Sequence, residues 1–325
     1  MRPAVLIGAA FALAGCASMA APGGARFDAS ALSEQPTLLV ATTRKPVPGL
    51  AKPWFGAERA AALTVARARL NPPSDGRFSL ASVGLDDWEI ERIEPAVRDV
   101  GELIAPAAGA RDVLIYVHGF KQTFETAALD AVRLSDGIRF RGETMVFSWP
   151  SKAGLFDYGY DRESAMWSRD AFERVLDSLM TSPNVGRVHI VAHSMGTMLT
   201  MEALRQLHAR YGETAAQKLG AVVFASPDID MNVFASSVER IGPLAARITV
   251  ISATNDRALA LSRRLAGGIT RVGAAEKKEL ERLGLRVIDA SQQGWGIINH
   301  DLFLSSGEVR QVIRNAIDGR PGPGA

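Results

Sequence analysis

Short aliphatic, β-branched runs alternate with amphipathic stretches along most of the chain. The runs Val113–Val117, Met145–Trp149, Val188–Ala192, Ala221–Ala225, Ile248–Ser252 and Arg286–Ile288 have the length and the unbroken apolar character of strands buried on both faces. Between them, Phe124–Phe140, Arg162–Met180, Met195–Tyr211 and Glu276–Leu283 carry apolar residues at helical spacing. A final helix is marked by Ser305 and Glu308 as a capping box. Val309, Val312, Ile313, Ala316 and Ile317 form its stripe. Strand–helix alternation of this kind folds into an α/β structure, a mainly parallel sheet with helices on both faces. Thr37–Thr42 and Phe78–Val83 are expected as antiparallel edge strands. Little chain separates Asp230 from Ile248, so no large cap domain is expected there. In such sheets ligands bind at the carboxyl ends of the strands, which makes the residues just after each run the ones to weigh.

The chain has 325 residues, 47% of them hydrophobic and 22% charged, as in ordinary globular proteins. No internal repeat or second linker interrupts it, and one domain over residues 36–317 is the simplest organisation. With 37 basic and 35 acidic residues the formal charge is +2, and no Lys/Arg block supports nucleic-acid binding. Cys16 is the single cysteine, so no intramolecular disulfide can form. No cofactor is implied, and no cluster has the spacing of metal ligands. Gly268 to Gly273 superficially suggests a phosphate loop, but no Lys-Ser/Thr follows.

The amino terminus reads as an export signal over residues 1–15. Arg2 is followed by an apolar run from Ala4 to Ala14, shorter than the roughly 20 residues that span a bilayer. The run ends in Leu13-Ala14-Gly15-Cys16, which resembles the lipobox of bacterial lipoproteins, with Cys16 as acyl acceptor and mature first residue. The alternative is ordinary cleavage near Ala20, with Cys16 discarded. Residues 16–35, rich in Ala, Gly, Ser and Pro, are expected to act as a flexible tether. Residues 318–325 are expected to be a disordered tail. The expected location is the bacterial envelope, with the lipid on Cys16 holding the protein to membrane. Ala17 rather than Asp after the cysteine points to the periplasmic side of the outer membrane, by resemblance to enterobacterial lipoproteins.

After the run Val188–Ala192 comes Ala192-His193-Ser194-Met195-Gly196, then a helical pattern. The pentapeptide resembles the G-x-S-x-G nucleophile elbow with Ala in the first place. A serine on a tight strand-to-helix turn needs small residues two positions to either side. The turn presents its hydroxyl at a helix N-terminus, where free N–H groups favour an anion. A serine N-cap on a buried helix has the same local pattern. The run Val113–Val117 ends in His118-Gly119-Phe120, similar to the oxyanion loop of α/β-hydrolases. Phe120 and Met195 are the expected backbone donors, and His118 is expected to orient the loop.

Five histidines are present. His189 lies within a strand, His193 adjoins Ser194 and points elsewhere, and His208 falls late on the helix after the elbow. His300, past the last strand and before the final helix, is the candidate base. The acid should follow the strand Ile248–Ser252, which makes Asp256 the first choice. Asp228 and Asp230, after Ala221–Ala225, are the rivals. The order Ser194, Asp256, His300 matches the chain order of α/β-hydrolase triads.

Several further segments resemble those of a bacterial family of uncharacterised esterase/lipase-like α/β-hydrolases. They are Ala41-Thr42-Thr43-Arg44, Ile115-Tyr116-Val117-His118-Gly119-Phe120, Phe147-Ser148-Trp149-Pro150-Ser151 and Pro227-Asp228-Ile229-Asp230. Asn255-Asp256-Arg257-Ala258-Leu259 and Asn299-His300 complete the set. The resemblance covers about residues 36 to 316 and implies hydrolase activity without naming a substrate. A small-molecule or lipid ester cleaved through an acyl-enzyme is the expected chemistry. Acyl transfer or amide cleavage would use the same machinery, and a non-catalytic envelope scaffold would keep only the fold. The stretch from Ser151 to Asp161, with Phe156, Tyr158 and Tyr160, is expected either to line a pocket or to pack on the sheet rim.

Overall fold

A computed structural model of the chain describes residues 35–73, 87–96, 99–105, 109–256, 259, 262, 270–291 and 302–320, all within one compact unit, Gln35–Ala325. The signal segment, Cys16, the tether up to residue 34, the expected strand Phe78–Val83 and His300 lie outside the described residues.

Nine strands form one sheet: β1 (Thr37–Pro46), β2 (Phe55–Asn71), β3 (Glu89–Ala96), β4 (Arg111–Val117), β5 (Glu143–Ser148), β6 (Val185–His193), β7 (Leu219–Ala225), β8 (Ile248–Ser252) and β9 (Arg286–Asp289). Their order is β3-β2-β1-β5-β4-β6-β7-β8-β9. From β1 to β9 every neighbouring pair is parallel, and β2 and β3 add an antiparallel margin. All six runs singled out above are strands of the parallel part.

The buried period-2 pattern sets the two cores. On β4, Val113, Ile115 and Val117 face one cluster and Leu114 and Tyr116 the other. The first face is covered by helices α2 (Tyr158–Trp167), α3 (Arg169–Thr181), α4 (Gly196–Tyr211), α5 (Ala215–Lys218) and α6 (Met231–Ile241). The short α7 (Lys277–Glu281) also packs its Leu280 there. The second face is covered by α1 (Phe124–Gly137), α8 (Leu302–Ser305) and α9 (Gly307–Ile317).

Four local features differ from expectation. The stretch Arg162–Met180 forms two helices, not one, with Ser168 at the junction. Its hydroxyl meets the Ser164 carbonyl and the Thr43 hydroxyl, both at 2.8 Å. The cap of α9 is Ser306, which accepts the Val309 N–H, rather than Ser305. β1 is an interior strand, paired to β2 on one side and β5 on the other. β2 and β3 escape a pattern search because alanine, arginine and glutamate dominate them, and none of the three is a favoured strand residue. Their pairing comes from tertiary context.

Phe172 on α3 is fully buried, with its ring 4.6 Å from that of Phe147 on β5. Truncating a buried phenylalanine costs about 3–5 kcal/mol. Phe172→Ala should therefore lower the unfolding free energy by about that amount in urea titration, with the slope unchanged.

Candidate active site

The turn between β6 and α4 is built around a residue in the left-handed region. Ser194 has φ 49°, a conformation that costs a non-glycine residue about 1–3 kcal/mol unless its surroundings enforce it. They do so through the backbone. The Ser194 N–H donates to the Ala225 carbonyl at 2.9 Å, and its carbonyl accepts from the Asp228 and Thr197 N–H groups, each at 3.1 Å. The Thr197 hydroxyl donates to the same carbonyl at 2.6 Å. Small residues are needed beside the turn, as expected. A Cβ added at Gly196 would lie 2.5 Å from the His118 carbonyl oxygen and 2.7 Å from that of Val117. Met195 is the N-cap position of α4, and no side chain caps that end.

The loop after β4 presses against this turn. A Cβ at Gly119 would sit 2.8 Å from Ser194 Cβ and 3.0 Å from His193 Nδ1, so only glycine permits the approach. His118 sets the loop's direction. Its Nε2 accepts the Trp149 N–H at 3.1 Å, which leaves Nδ1–H to donate to the Gly119 carbonyl at 2.8 Å. The imidazole is stacked on the Trp149 indole, centroids 4.5 Å apart. Burial, assisted by the charge of Arg44, holds it neutral, well below the usual histidine range. In a trans peptide the C=O and N–H point in opposite directions. The Phe120 N–H is thereby turned away from His118.

Arg44 braces the same loop from behind. Its guanidinium is buried and donates to the Ser148 hydroxyl (2.8 Å) and to the carbonyls of Gln122 (2.7 Å), Ser151 (3.0 Å) and Gly56 (3.2 Å). Burial pulls its pKa down to about 9, against the pull of Asp161 in the other direction, and the group stays charged at neutral pH. Asp161 accepts the N–H groups of Lys152 (2.9 Å) and Lys121 (3.3 Å) and the Ser151 hydroxyl. Burial raises its pKa. Sequence inspection did not single out Arg44 or Asp161 for a role, although Thr-Thr-Arg and Trp-Pro-Ser stood out as segments. Only the fold brings them to one loop. The stretch from Ser151 to Asp161 packs at the sheet rim, the second of its two expected roles. Ser151 and Asp161 pack at the rim, while the Tyr158 ring meets that of Phe120 edge-on at 5.4 Å. Beyond them Phe156 stands 98% exposed and Leu155 48%.

The three acid candidates differ in their partners. Asp228 is buried with both carboxylate oxygens engaged. Tyr158 donates to Oδ2 at 2.9 Å and Ser262 to Oδ1 at 2.6 Å. Arg271 Nε lies 3.0 Å from Oδ1, close in distance but off the line of a hydrogen bond. Asp230 caps α6, accepting the Val233 N–H at 2.8 Å. Asp256, buried just past β8, accepts the Leu259 N–H at 3.1 Å. His189 is a core residue, its Nδ1 accepting the Ala221 N–H at 3.0 Å. The His193 ring packs against Phe303 at 4.7 Å. Among the described residues no group of three His, Cys, Asp or Glu side chains is placed to hold a metal ion, and no helix is long and apolar enough to cross a membrane.

Residues 102–316 match a family described as alpha/beta hydrolase of unknown function, DUF900. The chain belongs to this family. Its fold is accordingly that of the α/β-hydrolases, a mostly parallel nine-stranded sheet flanked by helices. An uncharacterized protein of Nostoc sp., alr1448, is 34% identical over 61 residues. That is 19% of this chain and 16% of the Nostoc protein, so the match spans about a sixth of that relative. Solved structures similar to the chain include Thermogutta terrifontis esterase 2 phosphoramylated by tabun (12% identity, 78% of this chain and 88% of that chain, TM-score 0.37). Another is a Pyrobaculum calidifontis esterase (12%, 89% and 88%, 0.38). A third is a cutinase-like protein from Cryptococcus sp. (18%, 68% and 100%, 0.38).

The contact between Gly119 and Ser194 can be tested with a pair of variants. Gly119→Ala should lower stability by about 1–3 kcal/mol, the usual penalty of overpacking. Gly159→Ala in α2, where an added Cβ meets nothing within 4 Å, should be neutral or stabilising by up to about 1 kcal/mol. Denaturant unfolding of both variants checks the contrast.

Proposed function

We propose that the protein is a serine hydrolase cleaving carboxylic esters through an acyl-enzyme. The observation that carries this reading is Ser194, held at φ 49° at the start of α4 with the Gly119 loop packed on it. In this reading Ser194 Oγ attacks the ester carbonyl and its proton passes to His300. The oxyanion is met by the N–H groups of Phe120 and Met195, the first aimed by His118 and the second at the uncapped start of α4. Collapse of the tetrahedral intermediate expels the alcohol, which takes the proton from His300. Water, deprotonated by His300, then releases the acid and restores Ser194.

Two observations support the partners. Phe303 packs against His193, the neighbour of Ser194, and His300 lies three residues upstream of it in the chain. Three residues reach at most about 11 Å, a short tether to the elbow. Asp256 is favoured over Asp228 as the acid that orients His300, because Asp228 is committed to Arg271, Tyr158 and Ser262; over Asp230 it is favoured by its place after β8, since each of the two accepts one N–H three residues on. The exposed Leu155 and Phe156 offer apolar surface near Tyr158 and Phe120, which suits an ester with an apolar acyl chain or a lipid ester. We propose further that Cys16 carries the lipid that holds this hydrolase to the bacterial envelope.

Hydrolysis of p-nitrophenyl esters from acetate to decanoate tests the assignment. Ser194→Ala should lose at least about 10³-fold in kcat, and Asp256→Asn about 10³–10⁴-fold with the fold retained. Asp228→Asn should instead lower stability by about 3–5 kcal/mol, because it leaves a buried guanidinium without its counter-charge. Full activity of Ser194→Ala would contradict the mechanism. Mass spectrometry of the mature protein checks the anchor. An acylated Cys16 at the amino terminus is expected, and an unmodified start beyond it would contradict the lipid attachment.

A further inference from the structure

The amino-terminal rim of the sheet, opposite the rim of Ser194 and Asp256, carries an open cavity of about 1080 Å³. The parallel strands β4, β6, β7, β8 and β9 all begin at this edge. The seven residues of β4 alone, Arg111–Val117, put the two rims on the order of 20 Å apart. Eight arginines and two aspartates line the cavity. That is a formal +6 in a chain whose whole formal charge is +2, so the remainder of the molecule is net acidic.

The charge is not neutralised within the fold. Arg111 pairs with Glu143 at 2.7 Å, and Arg314 and Arg320 share Asp318 at 3.9 and 3.6 Å. Arg139, Arg141, Arg187, Arg247 and Arg286 make no ion pair among the described residues. Four of these five are exposed, and Arg247 is half-buried. They come from four separate places in the chain: the connection between α1 and β5, β6, the turn before β8, and β9. The fold therefore converges them, and no basic run in the sequence reveals the cluster.

Between the arginines the lining mixes the larger Ile138, Phe140 and Ile317 with small residues. Gly142 and Gly220 belong to it together with Ala110, Ala221 and Ala246. A Cβ at Gly142 would lie 2.1 Å from the Asp112 carbonyl oxygen, and one at Gly220 2.5 Å from the His189 ring. Close backbone packing thus excludes bulk from this part of the wall. Guanidinium groups facing one another across a concavity repel, and a ligand that relieves this must bring several negative charges at once. Their planar donor forks match phosphate oxygens in pairs. The volume lies at the upper end of small-molecule sites, larger than a single orthophosphate needs.

We propose that this rim is a binding site for an anion bearing two or more phosphates, separate from the hydrolytic site. Isothermal titration calorimetry of the full chain with tripolyphosphate tests it. Saturable one-to-one binding is expected, weakening as NaCl is raised. The triple variant Arg141→Ala, Arg187→Ala, Arg286→Ala should bind at least tenfold more weakly while keeping the wild-type circular dichroism spectrum. Titration with glycerol 3-phosphate, which carries a single phosphate as in a phospholipid headgroup fragment, tests the need for two or more. Weaker binding than tripolyphosphate is expected, and equal binding would overturn the proposal. Absence of saturable tripolyphosphate binding, or equal binding by the folded triple variant, would overturn the proposal. Because Ser194 takes no part in these titrations, their failure would leave the hydrolase reading untouched.

Discussion

A single left-handed residue organises the carboxyl rim of this sheet. Ser194 cannot relax to an ordinary backbone conformation without breaking bonds to β7 and to the segment after it, through Ala225 and Asp228. Those partners are held in turn by the parallel register of β6 with β7. The strain of a positive φ is a local cost set against a well-packed parallel core. What it secures is placement, since Ser194 stands at the start of a helix with its Cβ against the loop after β4. The requirement for glycine at 196 and at 119 follows from the same crowding, since each added Cβ would fall within 2.8 Å of a neighbouring heavy atom.

The loop after β4 is rigid for a different reason. A neutral imidazole, a charged guanidinium and a carboxylate, all buried or mostly so, share its backbone as hydrogen-bond partner. Buried polar groups of this kind are tolerable only when each has partners. Arg44 meets three carbonyls and a hydroxyl, Asp161 two N–H groups and a hydroxyl. Such a network resists rotation of the Gly119–Phe120 peptide, the motion that would spoil an oxyanion hole.

The parallel strands β4 to β9 were legible because they are buried on both faces and therefore read as unbroken aliphatic runs. The elbow was legible because strand, Ser194 and helix are contiguous. The oxyanion loop could be proposed from His-Gly-Phe because its glycine and its strand are local signals. What stayed hidden was non-local. β2 and β3 form from alanine, arginine and glutamate because a neighbouring strand offers an edge, and no periodicity marks that. Arg44 and Asp161 lie far apart in sequence and meet one loop only after folding. Among Asp228, Asp230 and Asp256, order along the chain favours Asp256 but excludes neither of the others, since all three follow strands. Hydrogen-bond partners set only Asp228 apart, because its Tyr158 and Ser262 contacts serve the scaffold, while Asp230 and Asp256 each accept an N–H three residues on.

The molecule thus presents two chemically distinct rims. One brings together a strained serine, an oriented peptide and a neutral imidazole. The other gathers uncompensated guanidinium groups around an open cavity. Labelling with a fluorophosphonate followed by tandem mass spectrometry reports on the first rim, because such a probe reacts covalently only with an activated nucleophile. One phosphonyl adduct per chain, located on Ser194, is the predicted result. A folded protein that takes up no label, or carries it on another residue, would contradict the account.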